Sequence, residues 1–331
     1  MPSWFWRRSL PRLRGLSSLR PLHCLVALSI AFIPCAGHAL DSGEITMRQL
    51  SCTTRAHSAM IVRTTLGGAP AVVRLPARVT RPPIILWHGF GPPASEHALM
   101  EALPLDEVPA IKVYLGLPLF GARSPAPGEL SLGDRQARDY GLLLFDPAVL
   151  GAARELPAVV ATLRKAGCMG SGEPVSLFGF SASGAAVLYA LSEQQVPVSS
   201  AVIVNGITGL KDGIQAFEHA TQESYAWSDP STTLAEATDF ARRPEAITKQ
   251  MPYPALLLIH GMADAVVTAA NSVSLYQALA PLYSKADEAK RLQLVLTDTR
   301  HGWTSGDSNG CIRRVAARWF NDFGGKAPRG E

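Results

Sequence analysis

Val175-Ser176-Leu177-Phe178-Gly179-Phe180-Ser181-Ala182-Ser183-Gly184 runs from a short apolar segment through Gly-x-Ser-x-Ser-Gly directly into a helical pattern at 182–194. An apolar run of this length with no polar alternation reads as a strand buried on both faces. A strand passing into a helix within one turn forces the intervening residue into a strained backbone and lifts its side chain above the sheet edge. Such a turn needs small residues two before and two after its apex, because strand and helix backbones pack tightly there. Gly179 and Ser183 meet that demand around Ser181, although Ser183 stands where a glycine is usual. Ser183 fits the apex less well, since its own flanking positions are Ser181 and Ala185.

Outward from this segment, apolar runs recur at 84–87, 111–115, 201–204, 255–259 and 292–296. Helical patterns lie between or after them at 95–103, 147–165, 182–194, 271–280 and 311–323. Two further strands, at 60–65 and 71–75, are joined by a turn at Gly67-Gly68-Ala69-Pro70. A hairpin followed by alternating strand and helix predicts one α/β domain of about eight strands, mostly parallel, with helices on both faces. Two stretches interrupt the alternation. Residues 116–140 are rich in Pro and Gly. Residues 206–254, between two strands, are far longer than an ordinary connection and carry helical patterning with Phe217, Tyr225, Trp227 and Phe240. Long insertions in compact domains usually serve function, so 206–254 is read as a helical lid.

The composition supports a globular chain: of 331 residues, 47% are hydrophobic and 18% charged, enough for a sizeable core and too little charge for disorder. The formal charge of +4 is misleading. Five of the 31 Lys and Arg (Arg7, Arg8, Arg12, Arg14 and Arg20) lie in residues 1–39, which hold no acid; the remaining 26 face 27 Asp and Glu. No basic field is left to attract nucleic acid. Residues 1–39 read as a signal peptide: an Arg-rich start, an apolar run at 22–33, then Gly37-His38-Ala39, with cleavage expected after Ala39. Twelve residues reach about 18 Å as a helix, short of the roughly 30 Å hydrocarbon core, so the run is not read as an anchor. The expectation is an exported protein, periplasmic or extracellular, whose domain occupies 40–331. It keeps Cys52, Cys168 and Cys311. Cys168 precedes the 175–178 strand at the amino edge of the sheet and Cys311 opens the last helix near the other edge, about 17 Å away. Any disulfide is therefore expected to include Cys52 and to leave one cysteine free.

The partners that a serine nucleophile needs follow in the order Ser…Asp…His. Asp264 stands just past the 255–259 strand, 83 residues after Ser181, and His301 just past the last strand, 37 residues later. A serine hydroxyl attacks only when an imidazole takes its proton, and a carboxylate holds that imidazole in the right tautomer. Asp298 competes for the acid role by its nearness to His301. A fourth element is Trp87-His88-Gly89-Phe90-Gly91, which ends the 84–87 strand. The backbone N–H groups of Phe90 and Ala182 are the expected oxyanion donors. His88 and His260 read as structural, and His57, His97 and His219 as surface residues.

On these motifs the chain resembles the α/β-hydrolase superfamily, and is most similar to compact secreted esterases and dienelactone-hydrolase-like proteins. The likeness covers roughly residues 60–323. Gly261-x-x-Asp264-x-x-Val267 is similar to that family's acid loop and favours Asp264 over Asp298. One departure is Gly116-Leu117-Pro118-Leu119-Phe120-Gly121, where many relatives carry an aspartate. The resemblance implies a hydrolase of small-molecule ester or acyl substrates working through an acyl-serine. An oligopeptidase-like serine peptidase and a non-catalytic binding protein of the same fold are the rival readings; the first would usually carry a propeller, for which the chain has no room, and the second conflicts with a complete triad. Gly89-x-Gly91-x-x-Ala94 mimics a dinucleotide fingerprint, but no acid ends the next strand, so nucleotide binding is rejected. Walker, paired CxxC and HExxH motifs do not occur, and no cofactor or metal is expected.

Overall fold

In a computed structural model of the chain, the apolar runs form one eight-stranded sheet. The structure describes residues 50–52, 59–286, 288–303 and 308–325. The expected signal peptide, its cleavage point and His57 lie outside them. The strands are β1 (Met60–Leu66), β2 (Ala69–Leu75), β3 (Ile84–Trp87), β4 (Lys112–Leu115), β5 (Val175–Phe180), β6 (Val198–Val204), β7 (Ala255–Gly261) and β8 (Leu292–Thr297). Their order is β1-β2-β4-β3-β5-β6-β7-β8. β2 runs antiparallel to β1 and β4, and every other pairing is parallel.

The helices are α1 (Glu96–Ala102), α2 (Leu132–Asp139), α3 (Gly151–Lys165), α4 (Ser183–Glu193), α5 (Leu210–Thr221), α6 (Asp229–Ala237), α7 (Ala269–Lys285) and α8 (Ser308–Phe323). Because successive strand residues point to opposite faces, Ile85, Trp87 and Leu177 join α3, α4 and α7 in one core layer. Ile84, Leu86, Phe178 and Phe180 join α1 and α8 in the other. Both faces are thus covered, which is why the central strands show no polar alternation.

The stretch at 116–140 is more ordered than its composition suggests. Ser131 and Asp134 form a capping box that starts α2, a helix with no buried residue and therefore no apolar stripe to read. It passes into an unusual π-helical segment, Tyr140–Leu150, whose first turn is capped by Asp139 accepting from the Leu142 N–H at 2.9 Å. The 206–254 insertion holds α5, α6 and a short 3₁₀ turn, Pro244–Ile247. Its Leu210, Ile214, Phe217 and Phe240 enter the same core layer as α3 and α4. Tyr225 donates its hydroxyl to Asp139 at 2.5 Å, and the Phe217 ring lies 5.8 Å from that of Tyr140. Cys52 is joined to Cys168 with Cα atoms 4.9 Å apart, so the disulfide includes Cys52 as expected; its partner, left open by the edge argument, is Cys168, and Cys311 is free and exposed.

One charge sits against the grain of this core. Lys112, the first residue of β4, is 1% exposed and donates its ammonium to the Val108 carbonyl at 3.0 Å. Burial pushes its pKa down to about 8; Asp106 pulls it back up and Arg74 lowers it further. A folded-state pKa below the unfolded one means that the unfolded chain holds the proton more firmly. Stability therefore rises with pH between about 8 and the ordinary lysine value near 10.4. The isosteric Lys112→Met should raise Tm at pH 7, and its advantage over wild type should shrink as pH climbs through that window in thermal denaturation. A variant less stable than wild type at pH 7 would contradict this.

Candidate active site

At the β5–α4 junction Ser181 holds φ +56°, in the left-handed region that a non-glycine residue adopts only under constraint. Two close approaches impose it. A Cβ on Gly179 would run into the Ser183 carbonyl, and one on Gly89 would come within 2.7 Å of the Ser181 Cβ. The turn is tied down by its backbone: the Ser181 N–H donates to Val204 at 3.0 Å, and its carbonyl accepts from Gly184 at 2.9 Å and Ile207 at 3.1 Å.

The structure brings Ser181, His301 and Asp264 together. Ser181 Oγ lies 2.9 Å from His301 Nε2, and His301 Nδ1 lies 2.8 Å from Asp264 Oδ2. The carboxylate only accepts, so Nδ1 carries the ring proton and Nε2 is left to accept from the serine hydroxyl. Asp264 is fully buried at its side chain. Burial alone would favour its neutral form, but hydrogen bonds from His260, His301 and the Val267 N–H outweigh it and hold the carboxyl well below the usual range. Its Oδ1 accepts from Val266 at 2.8 Å and Val267 at 2.9 Å. Asp298, the rival acid, is exposed.

Phe90 follows the glycine that touches Ser181, and Ala182 stands at the N-cap of α4. The turn carrying Phe90 is braced by a histidine read as structural. His88, 1% exposed, accepts from the Leu117 N–H at 3.3 Å through Nε2 and therefore donates through Nδ1 to the Gly89 carbonyl at 2.7 Å. Burial drives its pKa down to about 4 against the Gly89 hydrogen bond, so the ring is neutral. Ser183 donates its hydroxyl to the His88 carbonyl at 2.5 Å, which gives a purpose to a serine where glycine is usual. The Phe90 ring stacks on Phe120 at 4.9 Å, so the loop after β4 closes on this turn.

Two of the other histidines stay outside this chain of bonds. His97 lies 3.3 Å from Glu101, and His219 is exposed. His260 is fully buried, bonded to Ser272 at 2.7 Å and to the Val267 carbonyl at 3.0 Å, and its Nε2 comes within 3.4 Å of Asp264. It thus supports the acid from behind. A cavity of about 300 Å³ separates the acid loop from α5, with Asp212, Ala216 and His219 on the helix and Asp264, Val266 and Val267 opposite. Sequence reasoning missed Asn205 altogether. It is fully buried at the end of β6, and its amide reaches the Gly261 N–H and the Arg300 and His301 carbonyls. A single polar residue after an apolar run gives no hint of partners 56 and 96 positions away.

Among solved structures, the chain is similar to TT1662 from Thermus thermophilus, with 20% identity and a TM-score of 0.59 over 80% of this chain and 97% of that one. It is similar to the Pyrococcus furiosus esterase Pf2001, with 13% identity and a TM-score of 0.52 over 81% of this chain and 94% of the esterase. A puromycin-hydrolysing peptidase of Mycobacterium tuberculosis matches with 18% identity and a TM-score of 0.52, over 82% of this chain but 40% of the peptidase. At these identities the likeness carries the fold alone. A sequence comparison with curated proteins gave no match. Residues 152–326, just over half of the chain and including Ser181, Asp264 and His301, match the prolyl oligopeptidase family. With an α/β-hydrolase sheet and this match, the chain belongs to the prolyl oligopeptidase family of the α/β-hydrolase superfamily.

Proposed function

We propose that this member of a serine hydrolase family is an exported carboxylic-ester hydrolase that works through an acyl-serine. The observation that carries this reading is the unbroken chain of contacts from Ser181 Oγ to His301 at 2.9 Å and on to Asp264 at 2.8 Å. In the first half-reaction Ser181 Oγ attacks the ester carbonyl and His301 Nε2 takes its proton. The ionised Asp264 stabilises the imidazolium. The tetrahedral oxyanion accepts from the Phe90 and Ala182 N–H groups, then collapses, and His301 returns the proton to the departing alcohol. Water repeats the sequence on the acyl-serine and releases the acid. The 206–254 insertion acts as a lid whose α5 faces the acid loop across the cavity at Asp264. Export is supported by the Cys52–Cys168 disulfide, since such bonds persist mainly in oxidising compartments.

A small-molecule ester is preferred over a peptide because the structures spanned nearly end to end include an esterase, whereas the matched peptidase is more than twice as long. The peptidase reading is the second one, favoured by the family to which residues 152–326 belong. Nitrophenyl esters and aminoacyl nitroanilides assayed on the same preparation decide between them. The expected outcome is turnover of esters without measurable release from anilides; anilide turnover at a comparable rate would make the protein a peptidase. Ser181→Ala should reduce ester turnover to background while leaving the fold intact, because it removes a hydroxyl and no core volume. Undiminished turnover in that variant, or a lethal Ser183→Ala, would overturn the nucleophile assignment.

The acid assignment has its own test. Asp264→Asn removes the acceptor that fixes the His301 tautomer and should lower kcat by about 10⁴. Asp298→Asn, at an exposed position, should leave kcat nearly unchanged. The opposite ranking in steady-state kinetics would transfer the role to Asp298.

A further inference from the structure

Asn205 directly follows β6, has φ +48° and is fully buried. Its side-chain amide offers two donors and an acceptor, and its three bonds go to the two loops that carry Asp264 and His301. Nδ2 donates to the Arg300 carbonyl at 3.0 Å and to the His301 carbonyl at 2.8 Å. Oδ1 accepts from the Gly261 N–H at 2.8 Å. Its backbone N–H donates to Ile259 at 2.9 Å, and the preceding residue, Val204, accepts from Ser181. One residue therefore touches the backbones of both partner loops while its neighbour holds the elbow.

The acid loop has other fastenings, since Met262 donates to Thr297 at 2.7 Å and Ala263 to Thr299 at 3.2 Å. The same two bonds hold the base loop at Thr297 and Thr299, two residues short of His301. Among the described residues, Asn205 is the hydrogen-bond donor to the Arg300 and His301 carbonyls. The imidazole must meet Ser181 on one side and Asp264 on the other, and a misplacement of about 1 Å can cost about 10²-fold in rate. The residue type is narrowly determined. Asparagine tolerates left-handed backbone and supplies both kinds of bond, aspartate tolerates it but lacks the donors, and glutamine is too long.

We propose that Asn205 is a positioning residue that sets the His301 backbone, and so the imidazole, relative to Ser181 and Asp264; the inference rests on the triad reading above. Asn205→Asp keeps the backbone angle and the acceptor for Gly261 but removes both donors to the histidine loop. Asn205→Gly removes all three bonds without backbone strain. Both are assayed on a nitrophenyl ester beside wild type and Ser181→Ala, using the full chain. Active sites are counted by fluorophosphonate labelling run to completion. The expected result is a fall in kcat per labelled site of about 10²-fold with KM nearly unchanged, together with slower labelling. A merely structural asparagine would lower Tm and the labelled fraction but leave kcat per site at the wild-type value, and that result overturns the proposal. Failure of both variants to fold overturns it as well, because the residue would then be holding the fold and not the imidazole. Activity persisting in Ser181→Ala would instead sink the triad reading, whereas an inactive Ser181→Ala beside fully active Asn205 variants sinks this inference alone.

Discussion

The left-handed backbone of Ser181 is the constraint around which the sheet edge is organised. A non-glycine residue held there costs about 1–2 kcal/mol and persists only where its surroundings over-determine it. Here the surroundings are explicit. β5 delivers the chain to the turn, β6 receives the Ser181 N–H through Val204, and the Ser181 carbonyl is held by the start of α4 and by Ile207 beyond β6. Gly89 at the end of β3 leaves room for the serine Cβ. Four successive neighbours in the parallel part of the sheet, β5, β6, β7 and β8, then contribute Ser181, Asn205, the Asp264 loop and His301 at the same edge.

Electrostatics reinforce that geometry. Asp264 is buried yet ionised, because its two oxygens accept from His301 and two backbone N–H groups while His260 lies close behind. His88 is buried and neutral, so the turn carrying Phe90 is braced by a ring that brings no charge to the oxyanion position. The two histidines that look alike in sequence, each preceding a glycine at a strand end, therefore do related work at different loops: His88 shapes the turn beside Ser181 and His260 supports the acid. A departure such as Ser183, which looks like a weakening of the elbow motif, turns out to tie α4 to the His88 carbonyl.

What could be read from sequence follows from what each feature depends on. Strands buried on both faces have continuous apolar runs, so β3 and β5 through β7 were legible, though β5 extends two residues past the apolar run, to Phe180, because the glycine at 179 hides its continuation; β8, the edge strand, was legible from its apolar run although it is only partly buried. Ser181, Asp264 and His301 were legible because each directly follows a strand in a fixed order, and the structure brings those three together. α2 was not, since a helix with no buried residue leaves no periodic stripe. Neither was the π-helical segment, whose apolar residues follow no period that a helix or strand template would match. The Cys52 partner stayed open because nothing local fixed where residues before β1 would run; in the structure the Cys52 N–H bonds to the Ala166 carbonyl beside Cys168. Asn205 and Ser183 act through backbone groups, which leave no trace in the identity of their partners.

The central claim is that strain and hydrogen bonding at one strand–helix turn make a single serine nucleophilic. Peptide mapping by mass spectrometry after treatment with a fluorophosphonate tests it most directly, because it separates Ser181 from two other buried serines, Ser183, whose hydroxyl donates to the His88 carbonyl, and Ser272, which meets the His260 imidazole. The account predicts one phosphonyl adduct per chain, on Ser181, and none when His301 is replaced by alanine under the same exposure. An adduct on Ser183, or labelling of Ser181 at an undiminished rate without His301, would contradict it.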